Sequence, residues 1–172
     1  MVINKIFSIL FIFTVLSVSN NAVARQAENY RQFERSALTL PDSEVETIRN
    51  QVLRRCALTQ NTAQSQLPWY FHYEFGLELL NQGDPQRALD ALIVAANLRE
   101  DSKRNSRMYG MWFTNYLPYY QIALAHTKLG NWRCAMDALR VSTKNSEFLP
   151  RDRGYEEFTD LEKMILFQNP QS

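Results

Sequence analysis

Between Tyr70 and Ala96 the chain reads YFHYEFGLELLNQGDPQRALDALIVAA, two amphipathic runs parted by Gly83-Asp84-Pro85. That break has the composition of a helical hairpin. Glycine suits the left-handed residue that ends a helix, aspartate caps the next, and proline fits a first turn whose N–H has no partner to lose. Phe75, Leu79 and Leu80 are expected on one face of the first helix, and Leu89, Leu92, Ala95 and Ala96 on one face of the second, so that each stripe buries against the other. Gly76, Ala88 and Ala95 are small where larger side chains would hold the axes apart.

The pattern returns in Tyr119 to Ser142, YYQIALAHTKLGNWRCAMDALRVS, with Gly130, Asn131, Ala135 and Leu139 each 47 residues after Gly83, Asp84, Ala88 and Leu92. A fixed offset between helix–turn–helix units is the signature of a helical repeat. Before the first unit, Arg25 to Leu40 is polar and reads as a linker or a frayed helix, and the linker is drawn over residues 25–43. Ser43 with Glu46 suggests a capping box for a helix over Glu44 to Leu58, carrying Val45, Ile48, Val52 and Cys56 at helical spacing. Thr59 to Gln66 reads as a polar loop, and Pro68 as the first residue of the next helix. Between the units, Asp101 to Leu117 places Tyr109, Trp112, Phe113 and Tyr116 at i, i+3, i+4 and i+7, an aromatic helical face expected to break at Pro118. Tyr155, Phe158, Leu161 and Ile165 then form the stripe of a closing helix. The helical domain is expected over residues 44–168, with a tail over 169–172.

These residues resemble the tetratricopeptide repeat. The helix A element of that family, W-x2-L-G-x2-Y, falls on His72, Phe75, Gly76 and Leu79 and again on Tyr119, Ile122, Ala123 and His126; the helix B element, A-x3-F, falls on Ala88 and Leu92, then on Ala135 and Leu139. The first position lacks Trp, the fourth lacks Tyr, and Glu100 and Glu147 stand where the closing proline is expected. The resemblance implies an all-α fold: two tetratricopeptide-like hairpins in a right-handed superhelical array, about seven helical pieces and no sheet. Two units are too few to bury their own faces, so the helices around Val52 and Phe158 are expected to cap the ends.

Met1 to Ala24 reads as a secretory signal peptide: Lys5, then the largely apolar Ile6 to Val18, then Ala22-Val23-Ala24 before a cleavage site. Its 13-residue apolar run falls short of the roughly 20 residues of a membrane-spanning helix. Export to a periplasmic or extracellular space follows, with no transmembrane segment after cleavage. Removing Lys5 with the leader leaves 18 basic and 18 acidic side chains, which argues against nucleic acid as a partner. The one basic cluster, Arg99, Lys103, Arg104 and Arg107, shares its connection with Glu100 and Asp101 and reads as a solvated loop.

Little in the chain suggests chemistry. His72 and His126 fall on repeat-core positions, metalloprotease, hydrolase and phosphate-loop motifs are lacking, and Cys56 and Cys134 do not have C-x-x-C spacing. Neither catalytic residues, nor a metal, nor a cofactor is expected. The two cysteines are left between a disulfide closing a 79-residue loop and two free buried thiols, with a slight preference for the thiols because a first helix in a stacked array touches the first repeat rather than the second.

Recognition is what the resemblance implies. The concave face of each helix A carries over to Tyr70, Tyr73, Leu77 and Asn81, then to Tyr120, Leu124, Thr127 and Lys128, an aromatic groove for a protein or peptide segment unless the helix at Val52 covers it. The alternative is a module for cell-wall glycan, with Trp69, Trp112 and Trp132 as stacking platforms.

Overall fold

Each helical hairpin is closed by the same backbone turn. In the computed structural model, which describes residues 22–57 and 66–168, Gly83 takes φ +80° and Gly130 φ +73°. Gly83 N–H donates to Leu80 O at 3.2 Å and Asp84 N–H to Leu79 O at 2.9 Å, while Gly130 and Asn131 repeat the pair onto Thr127 O and His126 O. These bonds satisfy carbonyls that a helix end leaves open, and they need a left-handed residue at the corner. Asp84 also caps the following helix through Arg87 N–H at 3.1 Å, whereas the Asn131 side chain makes no cap bond.

The described residues are mostly helical, with seven helices and one short hairpin of strands: α1 (22–39), α2 (Asp42–Arg55), α3 (Trp69–Asn81), α4 (Pro85–Leu98), β1 (Lys103–Arg107), β2 (Phe113–Tyr116), α5 (Pro118–Lys128), α6 (Trp132–Lys144) and α7 (Tyr155–Gln168). None of these helices is long and apolar enough to cross a membrane. Residues 1–21 of the expected leader, most of the loop expected over Thr59 to Gln66, and the tail 169–172 lie outside the described residues.

Helices α3 and α4 pack closely, as do α5 and α6, and α4 lies against α5, so the two hairpins stack. Close approach of α3 and α4 depends on Gly76: a Cβ there would sit 2.8 Å from Leu92 Cγ and 3.3 Å from Ala88 O. The core combines Leu79, Leu80, Leu89, Leu92, Ala95 and Ala96 with Ile122, Met136 and Leu139. Phe75 departs from its expected place. It is exposed and stacks on Phe71 at 6.4 Å, and Tyr73 takes the interior instead.

Four further expectations are corrected. Of the two readings of Arg25 to Leu40, linker or frayed helix, the structure shows a helix, α1, which buries Phe33 and Ala37, so the linker drawn over 25–43 does not hold. Helix α2 begins at Asp42 behind Pro41, without a side-chain cap bond, so Ser43 lies inside it and the capping box does not form. Pro68 precedes α3 as its cap residue rather than opening it. The aromatic insertion is not a helix: β1 and β2 pair antiparallel, with Ser106 opposite Thr114 and Arg107 opposite Phe113. Gly110, at φ +55°, turns the tip, and aromatic and β-branched residues pack well on a pleated surface. No helix leads into Pro118 to be broken there: β2 ends at Tyr116 and Pro118 opens α5, where its missing N–H costs no bond.

Helix α2 runs along α6 rather than along α3. Lys144 at the end of α6 donates to Leu40 O at 2.6 Å and pairs with Asp42 at 3.6 Å. At the other end of the pair, Cys56 is bonded to Cys134, with Cα atoms 5.7 Å apart. The preference for free thiols fails because it placed the first helix on the first repeat.

Candidate functional site

The β-hairpin is fixed to the helices by tyrosines. Tyr73 on α3, almost wholly buried, donates its hydroxyl to Asn115 O at 3.0 Å and accepts from Leu117 N–H at 3.2 Å. Tyr116 packs edge-on to Tyr73 and to Trp69, with centroids 4.9 and 4.5 Å apart, and donates to Arg99 O at 2.7 Å. Burial pushes both phenol pKa values up. Thr114 adds a bond to Glu74 on α3 at 3.1 Å, and Tyr70 stacks on Tyr109 at 6.4 Å.

Beyond this anchored base the tip presents apolar side chains to solvent. Tyr109 is 63% exposed, Met111 82%, Trp112 67% and Phe113 52%. The tip is nevertheless ordered by its own bonds: Met108 N–H to Trp112 O at 2.9 Å, Trp112 N–H to Tyr109 O at 3.0 Å, and Arg107 Nε to Gly110 O at 2.6 Å. On α3, Phe71 and Phe75 are exposed as well. Helical periodicity hid this surface, since Tyr109, Trp112 and Phe113 also fit a helical stripe with the buried Tyr116; the signal for a turn was Gly110 within the run.

The expected groove is divided. Tyr73 is taken up by the hairpin and Thr127 is buried, its hydroxyl donating to Ala123 O at 2.8 Å. Tyr120 packs against Phe148 at 4.8 Å and Phe158 at 6.0 Å, which closes the second unit's share with α7 and the turn before it. Tyr70, Leu77 and Leu124 are half-buried, and Asn81 and Lys128 are exposed. The cover over Tyr73 is the insertion, not the helix at Val52.

Glu147, in the turn after α6, is buried, and its carboxylate reaches the N-terminus of α5. It accepts Tyr119 N–H at 3.2 Å, Tyr120 N–H at 2.8 Å and Ser142 Oγ–H at 2.8 Å, together with the Ser102 hydroxyl. A negative group suits the free N–H groups of a helix N-terminus. Burial raises its pKa, and these hydrogen bonds oppose that rise. The basic cluster is dispersed by similar contacts: Arg99 lies over the Trp69 ring at 4.7 Å, and Arg104 binds Glu147 O and pairs with Asp152.

His72 is half-buried and edge-on to Phe71. His126 is wholly buried, and burial lowers its pKa to about 4. Of the tryptophans proposed as stacking platforms, Trp69 is packed under Arg99 and against Tyr116, Trp132 is half-buried, and Trp112 is the exposed one. No protein-family model matches the chain, and no curated protein or solved structure matches it.

Proposed function

We propose that this chain is an exported, tetratricopeptide-like scaffold, with its two hairpins in a right-handed array, that holds a protein partner through the aromatic hairpin and the adjoining face of α3. The observation that carries the reading is the exposure of Tyr109, Met111, Trp112 and Phe113 on a tip whose backbone is internally bonded. Consecutive large apolar side chains left in water, on a firmly anchored element, are the mark of an interaction surface. Aromatic rings there supply contact area at a low cost in side-chain freedom. This moves the contact surface from the concave groove, where Tyr73 and Tyr120 are already used, to the rim that the insertion builds.

The repeated glycine-centred turn, 47 residues apart with matching backbone bonds, supports the tetratricopeptide-like reading. The leader pattern at Met1 to Ala24 and the Cys56–Cys134 disulfide support export, since such bonds persist in oxidising compartments. Photo-crosslinking tests the surface. Benzoylphenylalanine in place of Trp112, irradiated in intact cells, should give a discrete protein adduct that disappears when Met111 and Phe113 are both serine. The same probe at Gln86, exposed on α4, should give none. Adducts to wall glycan, or none at position 112, would overturn the proposal.

A further inference from the structure

The sulfur atoms of Cys56 and Cys134 lie beside the buried imidazole of His126. His126 is wholly buried, and neither ring nitrogen has a hydrogen-bond partner among the described residues. Leaving such groups unpaired is costly, so a buried pair of them calls for an explanation. One ligand atom from each of Cys56, His126 and Cys134 falls within 4.8 Å of the others. A tetrahedral zinc ion with its usual bond lengths needs donors about 3.5 to 3.8 Å apart, which these side chains reach once the two sulfurs separate. Three helices hold the donors: Cys56 follows α2, His126 lies in the last turn of α5, and Cys134 lies in the first turn of α6.

We infer that reduction of the Cys56–Cys134 bond creates, with His126, a binding site for a divalent cation of the Zn2+ type. A dithiol donor passes two electrons and two protons to the disulfide and closes its own S–S bond. The two thiols then release their protons as the cation takes their place, and His126 supplies a neutral nitrogen. Two thiolates neutralise the charge of the ion. The fourth position opens on a surface cleft of ≈ 350 Å³ lined also by Arg55, Ala57, Asn131, Trp132 and Arg133, where water completes the coordination. The device converts a covalent tie between α2 and α6 into a metal tie at the same place, so the capping helix stays docked in both redox states.

The test uses the purified protein, either oxidised or reduced anaerobically with a phosphine. Zinc is titrated against a chromophoric chelator, and Co2+ serves as the spectroscopic probe. The reduced protein should bind one equivalent of Zn2+ and show a thiolate-to-Co2+ charge-transfer band, while the oxidised protein should do neither. His126→Asn should weaken binding and change the Co2+ ligand-field spectrum; unchanged affinity and spectrum would remove His126 from the site. Should the reduced chain lose helical circular dichroism, Zn2+ should restore it. Failure to restore it, failure of a folded reduced chain to bind, or equal binding by the oxidised chain would overturn the inference.

Discussion

Replacing Glu162 with glutamine should change how stability depends on pH while leaving the fold intact. Glu162 sits on α7 with its carboxyl wholly buried, beside the Tyr30 hydroxyl and the Glu34 carboxylate of α1 and with Lys163 next to it. Burial is the largest influence and raises its pKa from 4.5 to about 7; Glu34 adds to the rise, and Tyr30 and Lys163 oppose it. The folded state therefore holds the proton more tightly than the unfolded chain does. Stability from this site is fully present below about 4.5 and is lost as pH rises through 7. The loss is on the order of 3 kcal/mol, from the ratio of the two acid constants. Glutamine carries no such titration. Its buried amide has a cost of about 1 to 3 kcal/mol that does not vary with pH. Urea unfolding followed by circular dichroism, run on both proteins between pH 4.5 and 8, isolates the effect because every other titration is common to both. The difference should move steadily in favour of glutamine by on the order of 3 kcal/mol across that range. Glu157→Gln, at an exposed position on the same helix, should show no such trend. A Glu162→Gln difference that is flat, or that moves the other way, would refute the reasoning.

Three other outcomes follow from particular side chains. Cys56→Ser with Cys134→Ser, measured by urea unfolding with metal chelated, should cost about 4.5 kcal/mol on the chain-entropy account of a loop this long; a midpoint equal to that of the oxidised protein would exclude a tie that constrains the chain. Gly76→Ala should destabilise by about 1 to 3 kcal/mol, because its Cβ would press on the Leu92 side chain, and Leu92→Ala in the same chain should recover part of that strain in a double-mutant cycle. Ser146→Gly should stabilise by about 1 kcal/mol, read as a rise in thermal midpoint, since Ser146 holds φ +53° at the turn that ends α6 and glycine takes that conformation without strain.

The two hairpins were legible because their information is local. Gly83-Asp84-Pro85 and Gly130-Asn131 specify their turns through backbone bonds spanning a few residues, and Ala88, Leu92, Ala135 and Leu139 reach the core as their spacing requires. What local patterning could not resolve was the choice between two periods in a short aromatic run. Tyr109, Trp112, Phe113 and Tyr116 satisfy a helical stripe, but strand pairing with Lys103–Arg107 and the buried Tyr73–Tyr116 contact favour the hairpin, and both depend on distant residues. The same limit applied to Phe33 and Ala37, two core residues in a polar segment whose burial depends on other helices closing over them. Sequence alone determined the helix pairs and the glycine-centred turns within them, set by backbone sterics and neighbours three or four residues away. Tertiary structure alone decided that α2 lies along α6, so that Cys56 meets Cys134 beside His126, and that Tyr109, Trp112 and Phe113 stand exposed on a strand hairpin. The docking of α2 on α6 depends on apolar side chains far apart in sequence, such as Val52 and Leu139, closing over one another in a shared core, which no short window of sequence contains.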